Sequence, residues 1–149
     1  MVTLMFPSVD WMQALADLAN EDEGFKKFGR LDALVGFRVG EHAYSVNFEV
    51  LSCRDVNEAS EEDLRQADFV ITLPPETWRE MLDNIQTNGR ATGDYTLNSL
   101  DLLGEEPIHG NELGDGYRAD KFFRYNPSLQ RFFDNAAQLQ TAIGDAPLD

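Results

Sequence analysis

Two histidines, His42 and His109, and one cysteine, Cys53, are all the imidazole and thiol this chain of 149 residues carries. A thiolate nucleophile needs a base or a positive charge beside it. Cys53 instead falls in a stretch with strand character, where a free cysteine is usually a small packed side chain. His42 follows Gly40-Glu41, a turn signal, and reads as an exposed hairpin residue. His109 and Glu112, with Glu105, Glu106, Asp115 and Asp120 nearby, are possible metal ligands, but most lie in a glycine-rich segment. Tight coordination needs ligands held by further partners, so no metal is expected. Asp68, Asp94 and Asp101 border apolar runs, where a carboxyl raised by burial could act as acid or base. With 27 acidic residues in the chain, a solvated face is the plainer reading of each. The sequence holds no GxGxxG, P-loop, HExxH, CxxC or G-x-S-x-G pattern, and neither catalytic residues nor a cofactor are expected.

The residues that do recur are aromatic and large aliphatic: Trp78, Met81 and Leu82 in one segment, Phe122, Phe123, Tyr125, Leu129, Phe132 and Phe133 in another. Such side chains build either a closed core or the apolar wall of a ligand cavity. The elements that must position them can be read from periodicity. Pro7-Ser8 followed by Val9, Met12, Leu15, Ala16 and Ala19 predicts a helix over about 9–20. Val35, Phe37 and Val39, then Tyr44, Val46, Phe48 and Val50, alternate on either side of Gly40-Glu41 and predict a β-hairpin. Residues 51–56 continue as a third strand, and Ser60-Glu61-Glu62-Asp63 resembles a capping box opening a short helix around Leu64.

Residues 67–73 return to strand, with Phe69, Ile71 and Leu73 on one side. Pro74-Pro75 then starts a helix whose Trp78, Met81, Leu82 and Ile85 share a face and which Asn88-Gly89 closes. Tyr95 and Leu97, with Leu100 and Leu102 after them, suggest one more strand, and 104–116 reads as a loop. Asn126-Pro127 is expected to open the last helix, with Leu129, Phe132, Phe133 and Ala136 on its apolar face, and Ala146-Pro147 marks a frayed end. The expectation is one α+β domain over 1–149, a mixed sheet of about five strands with helices on one face and an apolar cavity between them.

Composition narrows the partners. At this length roughly 70% of the unfolded surface is buried, and 42% hydrophobic residues with ten Phe is too apolar for a disordered chain. The formal net charge is −15 and its acidic residues are spread along the chain, which disfavours nucleic acid and anionic membrane surfaces alike. The one local basic group, Lys26, Lys27 and Arg30, is surrounded by Glu21, Asp22, Glu23 and Asp32. A lone cysteine and an N-terminus without a basic, apolar leader point to the cytoplasm, and no stretch approaches the roughly 20 apolar residues that span a bilayer.

Two segments resemble the sterol carrier protein type 2 family. Ala67-Asp68-Phe69-Val70-Ile71-Thr72-Leu73-Pro74-Pro75-Glu76-Thr77-Trp78-Arg79-Glu80-Met81-Leu82 is similar to that family's strand running into a helix with an early aromatic residue. Phe122-Phe123-Arg124-Tyr125-Asn126-Pro127-Ser128-Leu129-Gln130-Arg131-Phe132-Phe133 is similar to its C-terminal amphipathic helix. The resemblance implies a mixed five-stranded sheet with helices against one face, enclosing an apolar tunnel for a sterol, fatty acid or acyl-CoA, and it implies no catalytic residues. Carriers of that family are often basic, whereas this chain is acidic.

Face and position assign the cavity wall to Phe48, Phe69, Ile71, Trp78, Met81, Leu82, Phe123, Leu129, Phe132 and Phe133. The expected function is binding or carriage of a hydrophobic small molecule, such as a sterol, fatty acid, acyl-CoA or terpenoid. An isomerase, hydratase or hydrolase using the same cavity is the first alternative; scarce histidine and a helical C-terminus argue against it. An acidic module that docks on a basic protein partner is the second, and a homodimer is compatible with any of the three.

Overall fold

The computed structural model of the chain describes residues 3–27, 32–49, 52–97, 99–100 and 116–143. In chain order the elements are β1 (Thr3–Phe6), α1 (Val9–Glu21), α2 (Glu23–Lys27), β2 (Ala33–Val39), β3 (His42–Glu49), β4 (Ser52–Glu58), α3 (Glu61–Gln66), β5 (Phe69–Leu73) and α4 (Pro75–Asn88). A 3-10 turn at Gly93–Tyr95, α5 (Gly116–Asp134), a second 3-10 turn at Asn135–Gln138 and β6 (Gln140–Ile143) complete the series. The class is α+β, as the periodicities predict.

Four strands form a mixed sheet in the order β4-β3-β2-β5, with β2 antiparallel to β3 and parallel to β5. The hairpin closes on Gly40-Glu41 between the paired Val39 and His42; Gly40 has φ +60°, the left-handed backbone that a two-residue hairpin turn requires of its first residue. Asp55 is the extra residue of a bulge in β4, where Val46 pairs with Val56 and Asn47 with Arg54. Strand period two puts Val35, Phe37, Val46, Phe48, Phe69 and Ile71 on one face, and α1, α4 and α5 cover it.

The helices start where the chain offers caps. Ser8 accepts from Trp11 N–H to open α1, and Ser60 and Asp63 exchange hydrogen bonds in a complete capping box at α3. Pro75 opens α4 and Gly89 ends it. Propensity alone would leave these helices marginal; what holds them is burial of stripes such as Trp11, Met12 and Leu15 or Trp78, Met81 and Ile85, each large side chain contributing about 1.5–3 kcal/mol.

The structure departs from the sequence expectation in five places. Among the described residues the sheet has four strands rather than about five, and β1 and β6, which periodicity did not signal, pair separately, in parallel, with Thr3 opposite Gln140 and Phe6 opposite Ile143. Residues 95–97 and 99–100 are not strand. The backbone N–H of Leu97 is taken by the Gln130 side chain at 2.6 Å, and Thr96 receives hydrogen bonds from Ser99 N–H and Leu100 N–H, which winds the chain into a helical turn. The helix expected from Asn126-Pro127 begins ten residues earlier, at Gly116. Pro127 costs it a backbone donor, but Pro127 is exposed and the stripe Phe122, Leu129, Phe132, Phe133 is continuous across it. Burying that stripe outweighs the roughly 3 kcal/mol of an internal proline. The short helix α2 was not signalled by periodicity. Of the loop expected over 104–116, Gly116 is already helix, and the rest, with His109 and Glu112, lies outside the described residues, as does the frayed end near Pro147.

The fifth departure is that helices are not confined to one face. Leu64 of α3 packs with Val70, Ala67, Leu34 and Ala43 on the opposite side of the sheet. That approach runs over Gly36, where a Cβ would fall 2.6 Å from Leu64 Cδ2 and 3.2 Å from Val70 Cγ2. Gly36→Ala is expected to lower stability by about 1–3 kcal/mol through overpacking, with Leu64→Ala in the same chain removing the clash. Thermal unfolding of the two single variants and the double variant measures this, and additive losses would refute the contact.

Candidate functional site

The space between the sheet and α4/α5 is filled by aromatic rings in mutual contact. Phe132 of α5 is at the centre, its ring centroid 5.2 Å from Phe48, 5.2 Å from Phe133, 6.3 Å from Phe37 and 6.5 Å from Phe25. Phe133 leads on to Phe37 at 5.3 Å and to Trp78 at 5.4 Å, and Trp78 to Phe6 at 5.9 Å. Phe6 meets Trp11 edge-on at 4.7 Å. A second group, Phe69, Phe122 and Phe123, joins β5 to the first half of α5. Edge-to-face and offset pairs of this kind contribute about 0.5–1.5 kcal/mol each beyond their burial.

Of the expected wall residues, Phe48, Trp78, Phe132 and Phe133 belong to the first ring chain, and Phe69 faces Phe122 in the second group. Ile71, Met81, Leu82 and Leu129 are buried in the same continuous cluster. Phe123 is placed elsewhere: it is 51% exposed, and the inward position beside it is taken by Phe122. Helical spacing explains the exchange, because Phe122 leads to Leu129, Phe132 and Phe133 at the intervals of one face while Phe123 leads to Pro127 on the other. The rings that sequence reasoning left out are Phe6, Trp11, Phe25, Phe37 and Phe122. Phe37 was visible in the strand alternation and Phe122 in the apolar count of the last segment; Phe6, Trp11 and Phe25 gave no periodic signal of their own.

Both buried indoles have acceptors. Trp78 donates its indole N–H to the Arg38 carbonyl at 2.9 Å, and Trp11 donates to Thr141 Oγ1 at 2.9 Å. Among the described residues only Ser128 and Asn135 are buried polar side chains. The buried thiol of Cys53 is pushed up to about 12 by burial, so it is protonated and a poor nucleophile at neutral pH. Its backbone is held by Asn20, which donates to the Cys53 carbonyl at 3.1 Å and accepts from its N–H at 2.6 Å. Asp68 accepts from Leu34 N–H and so extends the pairing of β2 and β5. No group of three His, Cys, Asp or Glu side chains that could hold a metal occurs among the described residues.

The helix that roofs the rings is tied down at its C-terminal end by two carboxylates. Asp22, between α1 and α2, accepts from Arg131 Nε at 2.7 Å and Nη2 at 3.0 Å, from Asn135 Nδ2 at 2.9 Å and from Gly24 N–H at 2.8 Å. The hydrogen bond from Arg131, helped by those from Asn135 and Gly24, holds its carboxyl well below the usual carboxylate range. Asp134 accepts from Ala91 N–H and from Gln130, both at 3.0 Å, and burial shifts its carboxyl upward. The arrangement offers an apolar, aromatic interior under a helix held by a few polar ties. The described side chains that face this interior are chiefly apolar and aromatic, so chemically it can enclose apolar surface.

Neither a protein-family model nor a curated protein matches the chain. Among solved structures it is similar to the solution structure of a conserved hypothetical protein from Thermus thermophilus, described as possibly a sterol carrier protein. The two are 20% identical, the likeness covers 93% of this chain and 91% of that one, and the TM-score is 0.62. At that identity the likeness establishes a shared fold.

Proposed function

We propose that the chain, acting as one domain, binds an apolar small molecule between α5 and the inner face of the sheet, and that it carries this molecule without transforming it. The observation behind the reading is the aromatic interior: rings from β2, β3, α4 and α5 meet under one helix, and the described side chains facing it are chiefly apolar and aromatic. The fold shared with a protein described as possibly a sterol carrier supports the same ligand class, which spans sterols, fatty acids, acyl-CoA and terpenoids. The driving force is burial of ligand surface at about 25 cal/mol per Å2, and it requires rings such as Phe132 and Phe133 to shift, because they fill the space against each other.

Native mass spectrometry of the protein as isolated from cells, followed by organic extraction, tests the reading. The expected result is a bound apolar species that extraction releases. Both tryptophans are buried within the ring chain, so removal and return of that species is expected to change their fluorescence. A protein that emerges empty and takes up neither a fluorescent fatty acid nor a fluorescent sterol would overturn it. Turnover of an added hydrophobic substrate would replace carriage with catalysis.

A further inference from the structure

One polar group inside the fold stands without a partner. Ser128 is 4% exposed, and it and Asn135 are the buried polar side chains among the described residues. Asn135 is engaged at both ends of its amide: it donates to Asp22 and to the Arg131 carbonyl, and it accepts from Gln138. The Ser128 hydroxyl finds no hydrogen-bond partner among the described residues. It does not even make the bond back to the Arg124 carbonyl with which a helical serine commonly occupies itself. A buried hydroxyl in that condition costs stability, so its presence calls for a partner that comes from elsewhere.

Helical spacing places this hydroxyl. Ser128 lies one turn before Phe132, whose ring meets Phe25, Phe37 and Phe48. Three residues after Ser128, Arg131 binds Asp22, so Ser128 stands on the flank of α5 between the ring chain and the Asp22 tie. α2 lies against the same flank: Phe25 reaches both Phe132 and Phe48, and a Cβ on Gly24 would come 2.6 Å from the Arg131 guanidinium carbon.

We propose that Ser128 is the polar anchor of the apolar interior, where it takes the uncharged hydroxyl or carbonyl group of an otherwise apolar ligand. The assignment rests on the ligand-binding reading and narrows it to neutral molecules. Apolar sites orient their ligands through a few placed polar groups, and a serine hydroxyl, which both donates and accepts, serves an alcohol, a ketone or an ester. A carboxylate is poorly served there. Among the described residues no lysine, arginine or histidine is buried, and Arg131, the cation on this flank, is held by Asp22 at 2.7 Å. An ionised acid would give up its hydration without gaining a counter-charge.

Titration of tryptophan fluorescence with dodecan-1-ol, dodecane and dodecanoate at about pH 8 tests this on the full wild-type chain and on Ser128→Ala, both freed of lipid by extraction. The variant is expected to bind dodecan-1-ol about three- to tenfold more weakly than wild type, the worth of one net hydrogen bond, and to bind dodecane and dodecanoate as wild type does. Without ligand it is expected to melt at or above the wild-type temperature, because it loses an unpaired hydroxyl. A lower melting temperature would show that the hydroxyl serves the fold itself, and would overturn the assignment. Equal weakening of all three probes, no weakening of any, or wild-type protein that prefers dodecanoate to dodecan-1-ol would overturn it as well. In each of those cases binding persists and the wider reading stands, whereas wild type that takes up none of the probes would bring down both.

Discussion

Phe132→Ala is expected to lower the free energy of unfolding by about 3–5 kcal/mol, the largest loss of any single change considered. Its ring is fully buried and in contact with Phe25, Phe37, Phe48 and Phe133, which come from α2, β2, β3 and α5. Truncation removes the transfer energy of the ring and leaves a hole that four neighbours from four elements cannot close together. Urea denaturation followed by circular dichroism measures the loss. The same variant probes the proposed function, because a ligand that occupies this space stabilises the folded state in proportion to the logarithm of its free concentration over its Kd. Added fatty acid or sterol should therefore recover part of the deficit. A loss below about 1 kcal/mol would mean that the ring has water or an unfilled space beside it rather than partners. Phe132→Asp is the less informative change, since it buries an unpaired charge and unfolds the chain whatever the site does.

Asp22→Ala should cost about 2–3 kcal/mol at pH 7, because it leaves the Gly24 N–H, the Asn135 amide and the partly exposed Arg131 guanidinium without their shared acceptor. The pH dependence follows from the direction of the shift. The folded-state carboxyl lies below its unfolded value, so its stabilisation is fully present above the unfolded range near pH 4 and is lost as pH falls through it toward the folded value. Wild type and variant should thus differ most at neutral pH and converge on acidification. Asp134 has the opposite sign: its carboxyl is shifted upward by burial, so the stability it contributes is greatest at low pH and declines as pH rises through the folded value. Chemical denaturation of wild type and Asp22→Ala from pH 7 down to pH 3 checks both the size and the trend, and a gap that widened on acidification would contradict the clamp.

Composition and periodicity were sufficient for the α+β class, for the hairpin, for the boundaries of α1 and α4, and for the capping box at Ser60. These are local properties: a cap, a turn and an alternating face are each written within a few residues, and burial of the face reinforces them. The apolar inventory of the interior was legible for the same reason, down to Phe48, Phe69, Trp78, Phe132 and Phe133. What adjacent residues could not specify was which of two neighbouring phenylalanines points inward. That depended on where α5 begins, and α5 begins at Gly116 because its stripe is worth more buried than Pro127 costs.

The remaining features were settled by contacts between residues far apart in the chain. The strand expected near Tyr95 became a turn because Gln130, on another element, takes the Leu97 amide. The pairing of β1 with β6 joins the first and last described segments, and the clamp of Asp22 on Arg131 spans 109 positions. Such partners leave no local signal. They form only when the apolar faces have already brought the elements together, so the sequence by itself determined the pieces and their greasy sides, and tertiary packing decided which edges pair and which charges meet across the fold, as Asp22 meets Arg131.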